Sequence, residues 1–390
     1  MKIRCFLFII INLLLISCKS IPYNNVKISI PIDKNLYPNR KLKSTSTFYY
    51  NAIEKDGNII MSRGLSITPL DDDLYNNTYT YDLKGNIIER IKWDTLGNPE
   101  LKEITFYNTQ NKKYYKETYE YYGENSTKTQ IDTIIYNNNG QIVSHIIQGK
   151  YEKQQTDYIY NQNNNKIQEK NYMDNALFYS KVFEYDKNNN LIHQKTEHHQ
   201  EKELEEDQYF FYDNKNRLVK LEKRNDEGII YEKNTYKYNA KGKVIKELTY
   251  NSDNKIIKSI IKEYHFNNQL KKQEYTLENN RKWIYTYDNG GKVMEVFEQN
   301  DNKMSKKFYS YNDFGKELKI EKFDQNKKRI ELETFEYDSK GNMIKNTSVY
   351  NDNYNKVKTY QYDESGNCLQ TKIYVNGQLT HIIEIELTYY

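Results

Sequence analysis

The chain reads Tyr81-Asp82-Leu83-Lys84-Gly85-Asn86-Ile87-Ile88 near its start, and it repeats this phrase about every 25 residues. Near copies begin at Tyr337-Asp338 and at Tyr362-Asp363. A constant period of this length indicates a repeat array, in which each unit buries its apolar groups against its neighbours. The repeat therefore decides the architecture, whereas it contains no residue pattern typical of catalysis.

The repeat is anchored by an aromatic residue followed by Asp or Asn, at a mean spacing of about 25.5 residues. We identify twelve anchors: Tyr81-Asp82, Tyr107-Asn108, Tyr136-Asn137, Tyr160-Asn161, Tyr185-Asp186, Tyr212-Asp213, Tyr238-Asn239, Phe266-Asn267, Tyr287-Asp288, Tyr311-Asn312, Tyr337-Asp338 and Tyr362-Asp363. A degenerate thirteenth unit is predicted at Tyr50-Asn51, with Gly57-Asn58 after it.

Each unit has the composition of a β-hairpin. Asp or Asn after the Tyr suits the first position of a type I turn, because its side chain accepts hydrogen bonds from the following amides. Gly or Asn three residues later tolerates the left-handed conformation that closes such a turn. Aromatic residues alternate before the turn, as at Tyr79 and Tyr81, which is typical of a strand with one buried face.

The fold class predicted from these features is all-β, a long antiparallel meander of hairpins. Five prolines occur, and none follows Pro99, as expected of a continuous hydrogen-bonded ladder. Open sheets of more than about ten strands usually curl or split. We therefore predict a curved or spiral sheet that is open rather than a closed shell.

The unit aromatic-x-Tyr-Asp-x-x-Gly-Asn-x-Ile resembles the YD repeat of RHS-type proteins, over roughly residues 75 to 390. In that family the hairpins coil into a large β-spiral shell, which in toxin complexes encloses a C-terminal effector. This chain departs from the family pattern because it is much shorter than a closed shell should need, and we expect a short form without a toxin domain. The resemblance also implies a role as an accessory or immunity factor of a toxin system.

Residues 1–18 have the pattern of a bacterial lipoprotein signal peptide. Lys2 and Arg4 precede an apolar run that is too short for an ordinary spanning helix. The run ends in Leu15-Ile16-Ser17-Cys18, which fits a lipobox and predicts lipid attachment at Cys18. The alternative is a plain secretory signal or an uncleaved anchor. We predict a lipoprotein of the cell envelope on the outer membrane, with the leaflet open.

The predicted domain organisation has three parts: the signal peptide at 1–18, a flexible tether at 19–45, and the repeat array at 46–390. The tether is polar and contains three of the five prolines, as expected of an extended spacer. Besides Cys18 the chain contains Cys5 and Cys368, so the processed protein has no cysteine pair for an intrachain disulfide. Cys368 occupies a strand position filled elsewhere by Ile87 or Met343, which predicts a small buried side chain.

The sequence predicts no enzyme and no cofactor. It contains no Ser elbow, P-loop, H-E-x-x-H motif or zinc-spaced cysteine pair. The net charge is only +4, with basic and acidic residues interleaved, so no nucleic-acid partner is expected. His198 and His199 have two interpretations, a metal site and a charged hairpin connection. We favour the hairpin connection, because adjacent residues of a strand point to opposite faces of the sheet and so do not bind one ion together.

The aromatic content is high, with 40 Tyr and 14 Phe in 390 residues, while mean hydropathy is −0.99. Cross-strand aromatic pairs stabilise a thin sheet, and exposed rings also bind sugars or proteins. The function predicted first is a membrane-anchored, non-enzymatic scaffold that binds a protein partner. The alternative is a glycan-binding surface lipoprotein that stacks sugars on Trp93 and Trp283.

Overall fold

The computed structural model describes residues 41–64, 76–200, 206–301, 303–350 and 353–390. The predicted signal peptide with Cys18 and residues 19–40 of the predicted tether lie outside the described residues. The described part contains 27 strands, and all of them belong to one antiparallel sheet. The all-β prediction is confirmed. None of the described residues forms a helix long and apolar enough to cross a membrane.

The strands of the first half are β1 Leu42–Lys55, β2 Asn58–Arg63, β3 Asn76–Tyr81, β4 Ile87–Trp93, β5 Pro99–Tyr107, β6 Lys113–Tyr122, β7 Asn125–Tyr136, β8 Ile142–Gly149, β9 Lys153–Tyr160, β10 Lys166–Met173, β11 Ala176–Tyr185, β12 Leu191–His198, β13 Glu206–Tyr212 and β14 Leu218–Arg224. The strands of the second half are β15 Ile230–Tyr238, β16 Val244–Asn251, β17 Ile256–Tyr264, β18 Leu270–Leu277, β19 Lys282–Tyr287, β20 Val293–Asn300, β21 Lys303–Tyr311, β22 Glu317–Asp324, β23 Arg329–Tyr337, β24 Met343–Tyr350, β25 Tyr354–Tyr362, β26 Cys368–Val375 and β27 Gln378–Tyr389.

The sheet is closed, so the prediction of an open curved or spiral sheet is wrong. β27 pairs with β1 from Leu42↔Tyr389 to Asn51↔His381, and the other side of β1 pairs with β3. Every strand from β3 to β27 pairs with the next strand in the sequence, so 26 strands form a closed antiparallel barrel. With strands about 4.8 Å apart, the circumference across them is about 125 Å.

The closing strand is the element that the repeat pattern does not reveal. β1 begins at Leu42, ahead of the predicted start of the array at residue 46, and its segment Ser44-Thr45-Ser46-Thr47 has no Tyr-Asp anchor. Closure gives both neighbouring strands, β3 and β27, a ladder partner that an open sheet would lack. Because an unpaired edge exposes a row of backbone donors and acceptors, closure removes a site of non-specific association.

The sheet has two faces, which the pairing register keeps distinct around the whole ring. We call the face that carries the tyrosines before the Tyr-Asp turns the Tyr face, and the other the opposite face. On the Tyr face Thr45 of β1 pairs with Tyr79 of β3 and with Leu387 of β27, so the two ends meet with the same face aligned. We call the join of β1 with β27 and β3 the seam. A shift of the pairing by one residue at the seam would exchange the two faces.

The barrel wall is a single layer of sheet. Among the described residues the buried apolar side chains are Ala52, Phe183, Leu248, Ile320, Cys368, Ile373, Leu379 and Ile382. Most other strand residues on both faces are half-buried, as expected where no second layer packs against the sheet. Three of the buried residues, Ala52, Leu379 and Ile382, form a cluster at the seam between β1 and β27.

β2 lies outside the closed ring. It pairs with the last part of β1, from Tyr50↔Arg63 to Lys55↔Asn58, through a tight turn at Asp56 and Gly57. The predicted thirteenth unit is therefore a hairpin of another kind: Tyr50 lies within β1 rather than before a turn. β2 and β3 follow one another along the same side of β1, because β27 occupies the other side.

Candidate functional site

The Tyr-Asp turns form one end of the barrel, and most of them share the same two amide hydrogen bonds to the Asp or Asn side chain. In the turn after β3, Asp82 Oδ1 accepts bonds from the amides of Lys84 at 2.8 Å and Asn86 at 2.9 Å. The Asn86 side chain donates to Asp82 Oδ2 at 2.8 Å, and Gly85 has a φ of 84°. The predicted roles of Asp as a cap and Gly as the left-handed residue are confirmed.

Hydrogen bonds within these turns lower the carboxyl pKa of several of the acidic residues. At Asp213 the hydrogen bond from the Arg217 guanidinium is the main cause that lowers the carboxyl pKa to about 2. At Asp186 the side chain and amide of Asn190 lower the pKa in the same way. A carboxylate that already accepts several bonds from its own turn is occupied by a structural role. The carboxylates of these turns are therefore engaged by hydrogen bonds within their own turn.

Neighbouring turns are also linked to one another. Where Asn replaces Gly at the left-handed position, its side chain accepts a bond from the preceding turn: Asn139 Nδ2 donates to Asn164 Oδ1, and Asn188 Nδ2 to Asn216 Oδ1, both at 3.1 Å. Lys112 Nζ similarly reaches the carbonyl of Gly140 at 2.6 Å. The choice between Gly and Asn thus affects contacts between units as well as the turn itself.

The tyrosine hydroxyls form a ladder that sequence reasoning missed. Ten anchor tyrosines donate their hydroxyl to the backbone carbonyl six residues after the previous anchor Tyr, as Tyr107 does to Ile87 O at 3.0 Å. The other bonds of this kind are Tyr136 to Lys113, Tyr160 to Ile142, Tyr185 to Lys166, Tyr212 to Leu191, Tyr238 to Leu218, Tyr264 to Val244, Tyr311 to Val293, Tyr337 to Glu317 and Tyr362 to Met343.

The ladder explains why these positions contain Tyr rather than Phe. The accepting carbonyl lies at the bulge where the second strand of each hairpin begins, and the hydroxyl satisfies it. Burial raises the pKa of Tyr311 to about 12 and that of Tyr362 to about 12, so the hydroxyls remain donors at neutral pH. The signal in the sequence was the strict preference for a hydroxyl at the anchor.

The ladder also corrects one predicted anchor. Phe266-Asn267 was assigned as an anchor pair, but the strand ends at Tyr264 and the turn begins at His265. Tyr264 donates to Val244 O at 2.9 Å, whereas Phe266 lies in the turn with its side chain fully exposed. His265 occupies the turn position that holds Asp or Asn in the other units. The sequence pattern therefore placed this anchor two residues too late, at Phe266 instead of Tyr264.

We expect Tyr185→Phe to lower the free energy of unfolding by about 1 kcal/mol, the usual net value of one buried hydrogen bond. Tyr185 donates to Lys166 O at 2.8 Å, and the substitution leaves this carbonyl without its side-chain donor. Urea unfolding measures the change. The control is Tyr114→Phe, because that ring is 41% exposed and lies outside the ladder. Equal effects in the two variants would contradict the role of the ladder.

The seam contains a second kind of polar link. Along one side of β1, the backbone pairing with β3 ends at Thr47 and the pairing with β2 begins at Tyr50. This leaves a gap in the backbone hydrogen bonds of β1 on that side. Asn76, which is 0% exposed, fills this gap. Its Oδ1 accepts from the Tyr49 amide at 2.8 Å, and its Nδ2 donates to Gly64 O at 3.3 Å. The amide side chain replaces a missing backbone unit.

Two carboxyls with a raised pKa lie on the Tyr face of β22 and β23. Burial raises the pKa of Glu317, and burial together with the neighbouring Glu331 raises that of Glu333. Lys307 Nζ forms an ion pair with Glu331 at 3.1 Å. Within the described residues no group of His, Cys, Asp and Glu side chains has the geometry of a metal site.

The two tryptophans proposed to stack sugars lie on different faces. Trp283 is on the Tyr face, where its ring centroid is 5.5 Å from that of Tyr275. Trp93 is on the opposite face, and its Nε1 donates to Thr78 Oγ1 at 3.0 Å. Both side chains are half-buried. The structure therefore does not bring Trp93 and Trp283 together on one stacking surface.

The structure also separates the two histidines considered as metal ligands. The His198 ring lies 6.3 Å from the Tyr179 ring on the Tyr face. His199 Nε2 instead lies 3.0 Å from Ser180 Oγ, and Ser180 is on the opposite face. Cys368 is buried, as predicted, and pairs with Tyr362 just as Met343 pairs with Tyr337.

The opposite face contains an apolar patch that sequence reasoning also missed. We define the apolar patch as Ile104, Phe106, Tyr115, Ile135 and Ile159, on strands β5, β6, β7 and β9. Phe106, Ile135 and Ile159 each precede an anchor Tyr and are 40%, 45% and 48% exposed. The Phe106 and Tyr115 rings are 5.6 Å apart. The sequence contained a sign of this patch, because the residue before the anchor Tyr is apolar in the units of Tyr107, Tyr136 and Tyr160.

Elsewhere the same face is covered by ion pairs. Glu336 and Lys345 occupy the corresponding positions on β23 and β24 and pair at 3.0 Å, while Lys306 pairs with Glu295 at 2.9 Å. A hollow of about 470 Å³ lies beside the patch, with Ile88, Ile104 and Phe106 in its wall. Exposed apolar side chains such as Ile261 and Phe308 also occur on this face outside the patch, together with charged residues.

The fold defines the class of the protein: a closed antiparallel β-hairpin repeat protein. No protein-family model matches the chain, and no curated protein matches its sequence. The structure of TcdB2-TccC3-TEV is similar over 83% of this chain and 19% of that one, at 14% identity and a TM-score of 0.45. A second TcdB2-TccC3 structure covers 87% of this chain and 24% of its own, at 12% identity and a TM-score of 0.41.

A porin-like protein from Bacteroides uniformis aligns over 89% of this chain and 96% of its own, at 9% identity and a TM-score of 0.17. By contrast, the chain spans only about a fifth of the length of the TcdB2-TccC3-TEV structure. All three are likenesses between distant sequences with TM-scores below 0.5.

Proposed function

We propose that the protein is a non-enzymatic binding protein of the cell envelope, anchored by a lipid on Cys18, and that its partner is another protein. The observation that carries this proposal is the apolar patch on the opposite face. Soluble surfaces rarely expose contiguous large apolar side chains unless they are interaction sites. The lipobox supports the anchor, and the resemblance to YD-repeat proteins favours an accessory or immunity role in a toxin system.

The geometry favours a protein partner over a glycan. A sugar platform needs exposed rings on one surface, whereas Trp93 and Trp283 are half-buried on different faces. The apolar patch instead mixes aliphatic and aromatic side chains around Phe106 and Ile135. Such a mixture is typical of the desolvated centre of a protein interface, surrounded by a charged rim.

Site-specific photo-crosslinking in intact cells tests this proposal. A photoreactive phenylalanine analogue at position 106 is expected to form a defined adduct with one envelope protein. The matched control is position 308, because Phe308 is also 40% exposed on the opposite face but lies outside the patch. Phe106→Glu should abolish adduct formation from a probe at position 135, since a charge would be buried in the interface.

Equal adducts from positions 106 and 308 would contradict the assignment of the patch. Cys18→Ser tests the anchor separately, because loss of the lipid should move the protein from the membrane fraction to the soluble fraction. A membrane-bound Cys18→Ser variant would exclude lipid attachment as the anchor.

A further inference from the structure

We propose that the free edge of β2 pairs with β2 of a second copy of this chain, so that two barrels join through a four-stranded bridge. Among the described strands β2 has one ladder partner, β1, and its second edge is unpaired. This inference is independent of the apolar patch, which lies on other strands.

The hydrogen-bonding pattern decides which β2 groups face outward. Asp56 and Gly57 form a two-residue turn with φ values of 52° and 74°, so Lys55 and Asn58 form the hydrogen-bonded pair beside it. Alternation along the strand directs the amides and carbonyls of Asn58, Ile60 and Ser62 toward β1. Those of Ile59, Met61 and Arg63 are directed to the free edge.

The edge lacks the features that usually prevent strand pairing. Natural edge strands contain Lys or Pro, or are covered by another element. β2 has neither residue and reads Asn58-Ile59-Ile60-Met61-Ser62-Arg63. Its side chains are apolar and exposed, at 43% for Ile59, 52% for Ile60 and 41% for Met61. Ile53, opposite Ile60 on β1, is 57% exposed.

The sequence of β2 is complementary to itself in the antiparallel direction. With a two-fold axis through Ile60, Ile59 lies opposite Met61 of the second copy, and the two Ile60 side chains adjoin. The outward amides of Ile59 and Met61 then exchange hydrogen bonds with the second copy. Ile53 and Ile60 of both copies form one apolar cluster, as expected of an isologous interface.

Charge at the ends of the strand fits the same arrangement. The two-fold axis brings Arg63 opposite the turn of the second copy, which carries Asp56. In the single copy the Arg63 guanidinium lies 4.8 Å from the centroid of the Phe48 ring, and it forms no ion pair with any described residue. Opposite charges placed across antiparallel strands favour this register over a shifted one.

Disulfide trapping tests the register. Cα atoms of a directly opposed, non-hydrogen-bonded pair are about 4.5 Å apart, within the range that a disulfide spans. Ile60→Cys in the full chain, in detergent, should therefore yield a covalent dimer under mild oxidation with copper phenanthroline. Ile256→Cys is the matched control, because Ile256 is 45% exposed but lies on a strand with two described partners. It should remain monomeric.

Sedimentation of the same preparation measures association without a crosslink. The unsubstituted chain should show a concentration-dependent monomer–dimer equilibrium, and Ile60→Lys should raise the dissociation constant at least tenfold, because it places two ammonium groups face to face. A monomer at all concentrations, or equal crosslinking of Ile60→Cys and Ile256→Cys, would overturn the proposal. An Ile60→Cys adduct with a different envelope protein in cells would assign the edge to that partner instead.

Discussion

Ile382→Ala is expected to lower the free energy of unfolding by about 2–5 kcal/mol, the range for removing a large aliphatic side chain from a packed site. Ile382 is 1% exposed and packs with Ala52 and Leu379 in the cluster at the seam. A single-layered wall offers few such sites. The substitution therefore removes a large share of the apolar contacts that hold the two ends of the chain together.

The control for this prediction is Ile261→Ala, because Ile261 is also on the opposite face of the sheet but 40% exposed. Its effect should be well below that of Ile382→Ala in urea unfolding followed by tryptophan fluorescence. Hydrogen exchange should show in addition that the amides of β1 and β27 lose protection first. Equal losses in the two variants would mean that the seam is no more important than the rest of the wall.

Asn76→Ala is expected to destabilise the protein by about 2–6 kcal/mol through a different mechanism. The Asn76 side chain bonds the Tyr49 amide at 2.8 Å and the Gly64 carbonyl at 3.3 Å from a fully buried position. Truncation removes the bond of the part-buried Tyr49 amide and that of the buried Gly64 carbonyl, at about 1–3 kcal/mol each. Chemical unfolding measures the total.

Two further variants make the Asn76 prediction specific. Asn76→Asp keeps the size and the acceptor for Tyr49 but places a carboxylate against the Gly64 carbonyl. It should be strongly destabilised at neutral pH and recover on acidification, because the protonated carboxyl donates to that carbonyl. Asn139→Ala, on an exposed turn, should change stability by only about 0.5 kcal/mol. An Asn76→Asp variant without pH dependence would exclude the proposed hydrogen bonds.

The repeat unit could be predicted from sequence because its determinants are local. The Asp cap, the left-handed Gly or Asn and the alternation of Tyr79 with Tyr81 all act within one hairpin. The single error among the anchors, Phe266 for Tyr264, arose where His265 replaces the usual cap.

Closure could not be predicted in this way, because it depends on pairs far apart in the chain. Ser44 and Thr388 are separated by 344 residues, and the segment around Ser44 lacks the anchor pattern. The role of Asn76 could not be predicted for the same reason. Its two hydrogen bonds exist only because β2 and β3 lie next to each other along β1. The placement of Trp93 and Trp283 on different faces likewise depends on the register of every strand between them.

The tyrosine ladder has a consequence for how this molecule can change in length. Each hydroxyl contacts only the hairpin before it, so removing one complete hairpin and its turn lets the next Tyr meet an equivalent carbonyl. An antiparallel ring also requires an even number of strands, and a hairpin supplies two. We therefore expect the circumference to vary in steps of about 10 Å by gain or loss of whole hairpins. β1 and the seam would be retained at every size.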